Sequence, residues 1–409
     1  ILAIGSVPAD FKPEQTIDAS GMVVAPGLVD LAARLREPGQ EHEGMLASEL
    51  AAAVAGGVTS LVCLPDTDPV LDEPGLVEML KFRAEKLHQA RILPLGALTR
   101  QLAGEVLTEM AALTEAGCVG FGQAEVPLAS TQVLQRAMQY ASTFGYTLWL
   151  RPQEIHLGKG VAASGPLATR MGLSGVPVAA ETIALHTIFE LQRSTQARVH
   201  LCRLSSAQGV ALVRQAKAEG LPVSADVSIN SLHLTDADLG FFDSRARLNP
   251  PLRQQRDRDA LRQGLQDGTI DALVSDHNPV DADAKDLPFA ESEPGATGLE
   301  LLLSLALKWG QESGLDLSAT LATVTQAPAR VLGNAMGPLQ SSLGRLTQGG
   351  MADLCVFDPE AQWSVQAHEL VSQGQHTPFE FNLSGTCLPG RVKATVVGGV
   401  LAYERATAA

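Results

Sequence analysis

The side chains of this sequence that could carry chemistry are arginines and carboxylates placed at the ends of short apolar runs. Arg34 closes Leu31-Ala32-Ala33-Arg34, Arg151 closes Leu148-Trp149-Leu150-Arg151, and Arg203 follows His200-Leu201-Cys202. Asp276 ends Leu273-Val274-Ser275-Asp276, with His277 directly after it. Gathered in one place, these types support two kinds of chemistry. Asp276 can act as a general base while the guanidinium groups stabilise an oxyanion. Alternatively, Arg34, Arg151 and Arg203 can pair with Asp276, Glu37 or Glu154 in charge-assisted hydrogen bonds, making a structural cluster. A hydrolytic metal centre fits poorly, since it needs about three protein ligands and an open position for water. Alternate strand residues share a face, so Ala32 and Arg34 point together; one has no donor atom and the other a cation that cannot be deprotonated. Beyond Asp276, no group that could activate water stands out.

Those residues must be positioned by the elements that carry them. Eight strand-like runs are expected: Leu28–Ala32, Thr59–Leu64, Arg91–Leu98, Cys118–Gln123, Tyr146–Arg151, Arg198–Leu204, Leu221–Val227 and Asp271–Asp276. Each is followed by a helical pattern, namely Met45–Ala55, Pro74–Gln89, Glu105–Ala116, Thr131–Thr143, Ala180–Gln192, Ser206–Ala218, Gln254–Gln266 and Gly298–Trp309. Eight strand–helix units predict an α/β fold, a TIM-type (β/α)8 barrel over residues 25–343, with its site at the C-terminal strand ends. The two chain ends, 1–24 and 344–409, carry strand and turn signals and are expected to form one small β-sandwich domain together.

With 409 residues, 45% of them hydrophobic and 18% charged, the chain can bury one large core and a satellite domain. A net charge of -15 argues against nucleic acid or an anionic membrane as partner, because both require a basic footprint. No apolar run reaches the ~18 residues a membrane span needs, and no basic-then-apolar leader opens the chain, so a cytoplasmic protein is expected. The five scattered cysteines read as reduced thiols, the first four of them buried. The opening Ile1-Leu2-Ala3-Ile4 reads as the inside of a strand, and a preceding native segment is expected.

The segment Pro26-Gly27-Leu28-Val29-Asp30-Leu31-Ala32-Ala33-Arg34-Leu35-Arg36-Glu37-Pro38-Gly39 resembles the dihydroorotase pattern P-G-x-x-D-x-H-x-H-L-R-E-P-G of the cyclic amidohydrolases. Asn249-Pro250-Pro251-Leu252-Arg253 is similar to that family's N-P-P-L-R loop, and Gly344 through Leu354 to its β-domain signature G-x-L-x-x-G-x-x-A-D-L. The resemblance spans essentially the whole chain and implies six metal-ligand positions. Five of them are degenerate here: Ala32, Arg34, Gln123, Arg151 and Arg203. The sixth, Asp276, is kept at the family's general-base position, in Ser275-Asp276-His277-Asn278-Pro279-Val280 against T-D-H-A-P-H. Arg36 and Asn249 match substrate-binding positions, and Asp66 replaces an asparagine there, so that it would repel a carboxylate substrate. Arg36 is expected to pair with Asp66 or Glu37 as scaffold, and His200 and His277 to be packed strand-end histidines.

The resemblance therefore implies a dihydroorotase homologue without catalysis and without zinc. It resembles the inactive dihydroorotase-like chain that some bacteria assemble with the aspartate carbamoyltransferase catalytic chain, which implies a structural role in pyrimidine biosynthesis and a homo-oligomer within a larger complex. The alternative is an active, metal-independent or altered cyclic amidohydrolase with Asp276 as general base.

Overall fold

The computed structural model describes every residue except 9, 381–384, 386 and 407–409. Its strands, in chain order, are β1 Val23–Pro26, β2 Leu28–Ala33, β3 Val58–Cys63, β4 Arg91–Ala97, β5 Gly120–Gly122, β6 Thr147–Leu150, β7 Ala162–Ala163, β8 Gly175–Val176, β9 Arg198–Leu201, β10 Val223–Ser228, β11 Ala272–Val274, β12 Leu354–Trp363, β13 Leu388–Val397 and β14 Val400–Glu404. Eight of them pair in the order β2-β3-β4-β5-β6-β9-β10-β11, parallel throughout. The ring closes where Ala33 bridges His277: the Arg34 N–H donates to the His277 carbonyl at 2.9 Å, and the His277 N–H to the Ala32 carbonyl at 3.1 Å.

All six residues of β2 and of β3 are buried, as expected of parallel strands covered by side chains within and helices without. The expected strand–helix units are present, each strand within a few residues of its expected bounds. Helix starts follow local chemistry. Ser130 accepts from the Val133 N–H at 3.3 Å and Ser206 from the Gly209 N–H at 3.0 Å, each satisfying one of the unpaired amides of the first turn. The helix expected from Glu105 starts only at Met110, and the eighth, Leu302–Glu312, is entered through a short 3-10 turn at Leu299–Leu301. The β7–β8 ribbon and the short helices Pro166–Met171, Ile229–His233, Leu317–Ala322 and Gln326–Leu332 had no clear periodicity to announce them.

Both chain ends meet in one antiparallel sheet, β1-β12-β13-β14. Its strand β1 runs on to Pro26 and pairs there with Leu354, so the boundary lies past the expected 24/25 division, and the described residues of 1–22 form no strand. The layer packed against this sheet is helical and does not come from a second sheet among the described residues. Thr395 donates to the Val54 carbonyl at 2.6 Å and Ser304 to the Gly390 carbonyl at 2.9 Å, tying the sheet to helices Leu46–Ala55 and Leu302–Glu312. Of the five thiols, Cys63, Cys118 and Cys355 are buried, Cys202 is half-buried and Cys387 is exposed.

A segment between the sheet and the barrel is stitched to the barrel by buried carboxylates. Glu300 accepts the Val371 and Ser372 N–H groups at 2.8 and 3.1 Å. Glu49 accepts the Ser372 hydroxyl at 2.5 Å and the Gln373 N–H at 3.0 Å, while Thr297 N–H donates to the His376 carbonyl at 2.8 Å.

Candidate functional site

The strand ends deliver their side chains through an unusual backbone. Arg36, Ala124, Arg203 and Asp276 have φ of 64°, 49°, 56° and 50°, left-handed values that cost a non-glycine residue of order 1 kcal/mol and collect at functional sites. Each lies directly after a barrel strand or within a few residues of one, where the chain turns over the mouth.

There the three arginines converge on a single carboxylate, Glu125. Glu125 Oε1 accepts from Arg34 Nη2 at 2.8 Å and lies 2.5 Å from Arg203 Nη2, while Oε2 accepts from Arg151 Nη1 and from Asn249 Nδ2 at 2.9 Å. Three of these donors are held from behind. Arg34 Nε donates to Asp66 at 2.8 Å, Arg203 Nη1 to Asp276 at 3.0 Å, and Arg151 Nη2 to the Asn249 oxygen at 2.6 Å. The charges balance, with Arg34, Arg151 and Arg203 against Glu125, Asp66 and Asp276.

Burial sets the strength of these pairs. The Arg34, Arg151 and Arg203 side chains are only 6%, 8% and 2% exposed, against 30% for Glu125. Burial disfavours the Glu125 charge, but Arg151, Arg203 and Arg34 outweigh it and hold the carboxyl well below the ordinary range. Burial likewise opposes the Arg203 cation, and Glu125 and Asp276 more than compensate. Asp276 goes the other way: burial raises its pKa, only partly offset by Arg203.

Two expected partners take no part. Glu37 is bound to Arg83 and accepts the Leu46 N–H at 2.7 Å, and Glu154 accepts the His156 and Leu157 N–H groups. Both are spent on local loop and helix-start amides, which leaves the cluster to Asp276, Asp66 and Glu125. Arg36 pairs with neither Asp66 nor Glu37 but with Glu43 at 2.7 Å, and it also donates to Gln40, Asn278 and the Pro279 carbonyl. Its left-handed φ turns it from Arg34, which has taken Asp66. Gln123 faces Thr99 and the Leu102 carbonyl and is 3% exposed. His200 bonds Ser224 and Asp226 at 2.8 and 2.9 Å. His277 bonds Glu49 at 2.8 Å through Nε2 and accepts the Gly298 N–H at Nδ1, which fixes a ring proton on Nε2.

The resemblance implies a divalent metal at these strand ends, and the residues do not fit one. Ala32 offers no donor atom, Gln123 is engaged elsewhere, and three guanidinium groups stand where cations would have to bind. Among the described residues one other group, His200, Cys202 and Asp226, has donor atoms within 4.8 Å of one another. There both His200 nitrogens are hydrogen-bonded, Asp226 Oδ1 accepts the Arg203 N–H at 2.6 Å, and burial pushes the Cys202 thiol well above its usual pKa, away from the thiolate a metal takes.

Glu125 is the member of the cluster that motif reading passed over. It lies in an irregular loop two positions beyond Gln123 and belongs to no motif. The deficit that points to it appears once Glu37 and Glu154 are engaged elsewhere: Arg34, Arg151 and Arg203 against Asp66 and Asp276 leave one cation without a partner.

A family model described as dihydro-orotase-like matches residues 21–209, and one described as amidohydrolase family matches residues 174–402. A dihydroorotase-like protein of Pseudomonas aeruginosa is 44% identical over 405 residues, covering 99% of this chain and 93% of its own. Its Pseudomonas putida counterpart is 43% identical, covering 98% and 92%. A dihydroorotase of Geobacter metallireducens is 36% identical, covering 96% and 90%. Among solved structures, L-hydantoinase (dihydropyrimidinase) from Arthrobacter aurescens superposes with a TM-score of 0.85 at 24% identity, covering 98% of this chain and 90% of that one, a likeness of fold.

Proposed function

The chain belongs to the dihydroorotase-like family of amidohydrolases, and from that premise we propose that it is a non-catalytic member acting as a binding subunit in pyrimidine biosynthesis. Its partner in this reading is the aspartate carbamoyltransferase catalytic chain, whose assembly or activity it supports in the cytoplasm, as a homo-oligomer within a larger complex. One observation carries the reading. At the positions where the resemblance places metal ligands, Arg34, Arg151 and Arg203 are closed on Glu125, an arrangement that supplies no ligand set for an ion that would activate water. The barrel around it keeps its eight strands and its closure, which supports a role that needs the fold.

A second reading, a metal-independent amidohydrolase with Asp276 as general base, draws on the upward shift of that carboxyl. It ranks lower because Asp276 is 7% exposed and already accepts from Arg203, which leaves little room for a water between them.

The test mixes the purified chain with aspartate carbamoyltransferase at micromolar concentration and measures mass by size-exclusion chromatography with light scattering. Co-elution, with transcarbamoylase activity that depends on this chain, is expected. Separate peaks with full activity of the transcarbamoylase alone would refute the reading.

A further inference from the structure

The Glu125 carboxylate sits in a receptor that is complete around it. A carboxylate has about four lone-pair acceptor sites, and Arg34, Arg203, Arg151 and Asn249 fill them from four different strand ends and loops. Arg34 and Arg203 have their own supports in Asp66 and Asp276, and Arg151 and Asn249 also bond each other, so every donor keeps a partner besides Glu125. Such prior support is what lets a site bind without reorganising. Arg203 also retains a buried Nε with no hydrogen-bond partner among the described residues.

The occupant is the least fixed member. Glu125 is the most exposed of the charged side chains of the cluster, and it rides on a loop entered through the left-handed Ala124. The same loop, through Val126 and Leu128, walls a cavity of about 250 Å³ that reaches Gln123 and Arg151 from outside the barrel. Of the four donors, Arg151 lines that cavity.

We propose that Arg34, Arg151, Arg203 and Asn249 form a binding site for small carboxylates in which Glu125 is a tethered occupant, replaceable by a free carboxylate of formate or acetate size. The site is independent of any protein partner, so it stands or falls apart from the role proposed above. A tethered group competes at an effective concentration of order millimolar or more. The wild-type chain consequently takes up free carboxylates weakly, and removal of the Glu125 side chain opens the site.

The experiment is chemical rescue of Glu125→Ala. Melting temperatures are measured in formate, acetate, chloride and sulfate at matched ionic strength, beside wild type and Glu125→Ala/Arg151→Met. For Glu125→Ala the expected result is a saturable rise of several degrees in formate and acetate, well beyond that in chloride or sulfate, and lost in the double variant. Wild type should show only the common salt response. An equal rise in all four salts, or none in the carboxylates, would overturn the proposal. If Glu125→Ala does not fold in chloride, refolding from urea into formate supplies the readout. Native yield recovered in formate but not in chloride supports the site, and no recovery in either overturns it.

Discussion

Arg203 holds Glu125 and Asp276 with one guanidinium, Nη2 lying 2.5 Å from the first and Nη1 3.0 Å from the second. A loop carboxylate and an eighth-strand carboxylate are thus joined through a side chain of the sixth strand's end. This bridge makes the arginines and Glu125 one energetic unit.

Glu125→Gln leaves three buried guanidinium groups short of one negative charge. Removing one partner of a buried ion pair costs about 3 kcal/mol, and a lower urea midpoint with unchanged slope is the expected result. Arg203→Met should cost a similar amount. Because the two residues share partners, the double variant should lose clearly less than the sum. Strict additivity would show that the pair is not coupled.

The purified protein is expected to contain no stoichiometric zinc and no measurable dihydroorotate hydrolysis. Ala32→His with Arg34→His should restore neither, because Gln123, Arg151 and Arg203 still fail as ligands and Asp66 loses the Nε donor at 2.8 Å. Elemental analysis and a metal-supplemented assay check both statements; zinc-dependent turnover by the double variant would contradict them.

Two buried carboxyls give a pH dependence of defined sign. Burial raises Asp30 to about 7 against hydrogen bonds from Ser275, and raises Glu300 to about 7 against the Val371 and Ser372 amides. An acid whose folded pKa lies above its unfolded value contributes stability that is whole below the unfolded pKa and is lost as the pH rises through the folded one. Melting temperature should therefore fall from about pH 4 to about pH 7 on account of these groups. Asp30→Asn, neutral at every pH, should flatten that fall, and an unchanged profile would dismiss Asp30 as its source.

Much of the fold could be read in the sequence because the barrel repeats one signal. Runs such as Leu61–Leu64 are apolar throughout, and each strand-like run is followed by a helical pattern, so the eight units could be counted without knowing any contact. The loss of metal ligands could also be read, since Ala32 and Arg34 are disqualified by their own atoms. The pairings were less legible. Which acid meets which arginine depends on loop paths, and no periodicity encodes the turn at Ala124 that brings Glu125 inward, or the one at Arg36 that sends it to Glu43. The second layer against the chain-end sheet was misjudged for a related reason: strand patterns show that a face is apolar, not which element covers it.

The stitched segment at 371–373 has a mechanical meaning. Its amides end on Glu300 and Glu49, and Glu49 also grips His277, whose main chain closes the barrel. Torque applied to the chain-end sheet is passed through this short lever to the seam of the cylinder, so the two regions turn as one body. Amide hydrogens of Val371, Ser372 and Gln373 should accordingly exchange as slowly as those of the seam, and Glu49→Ala should release both together.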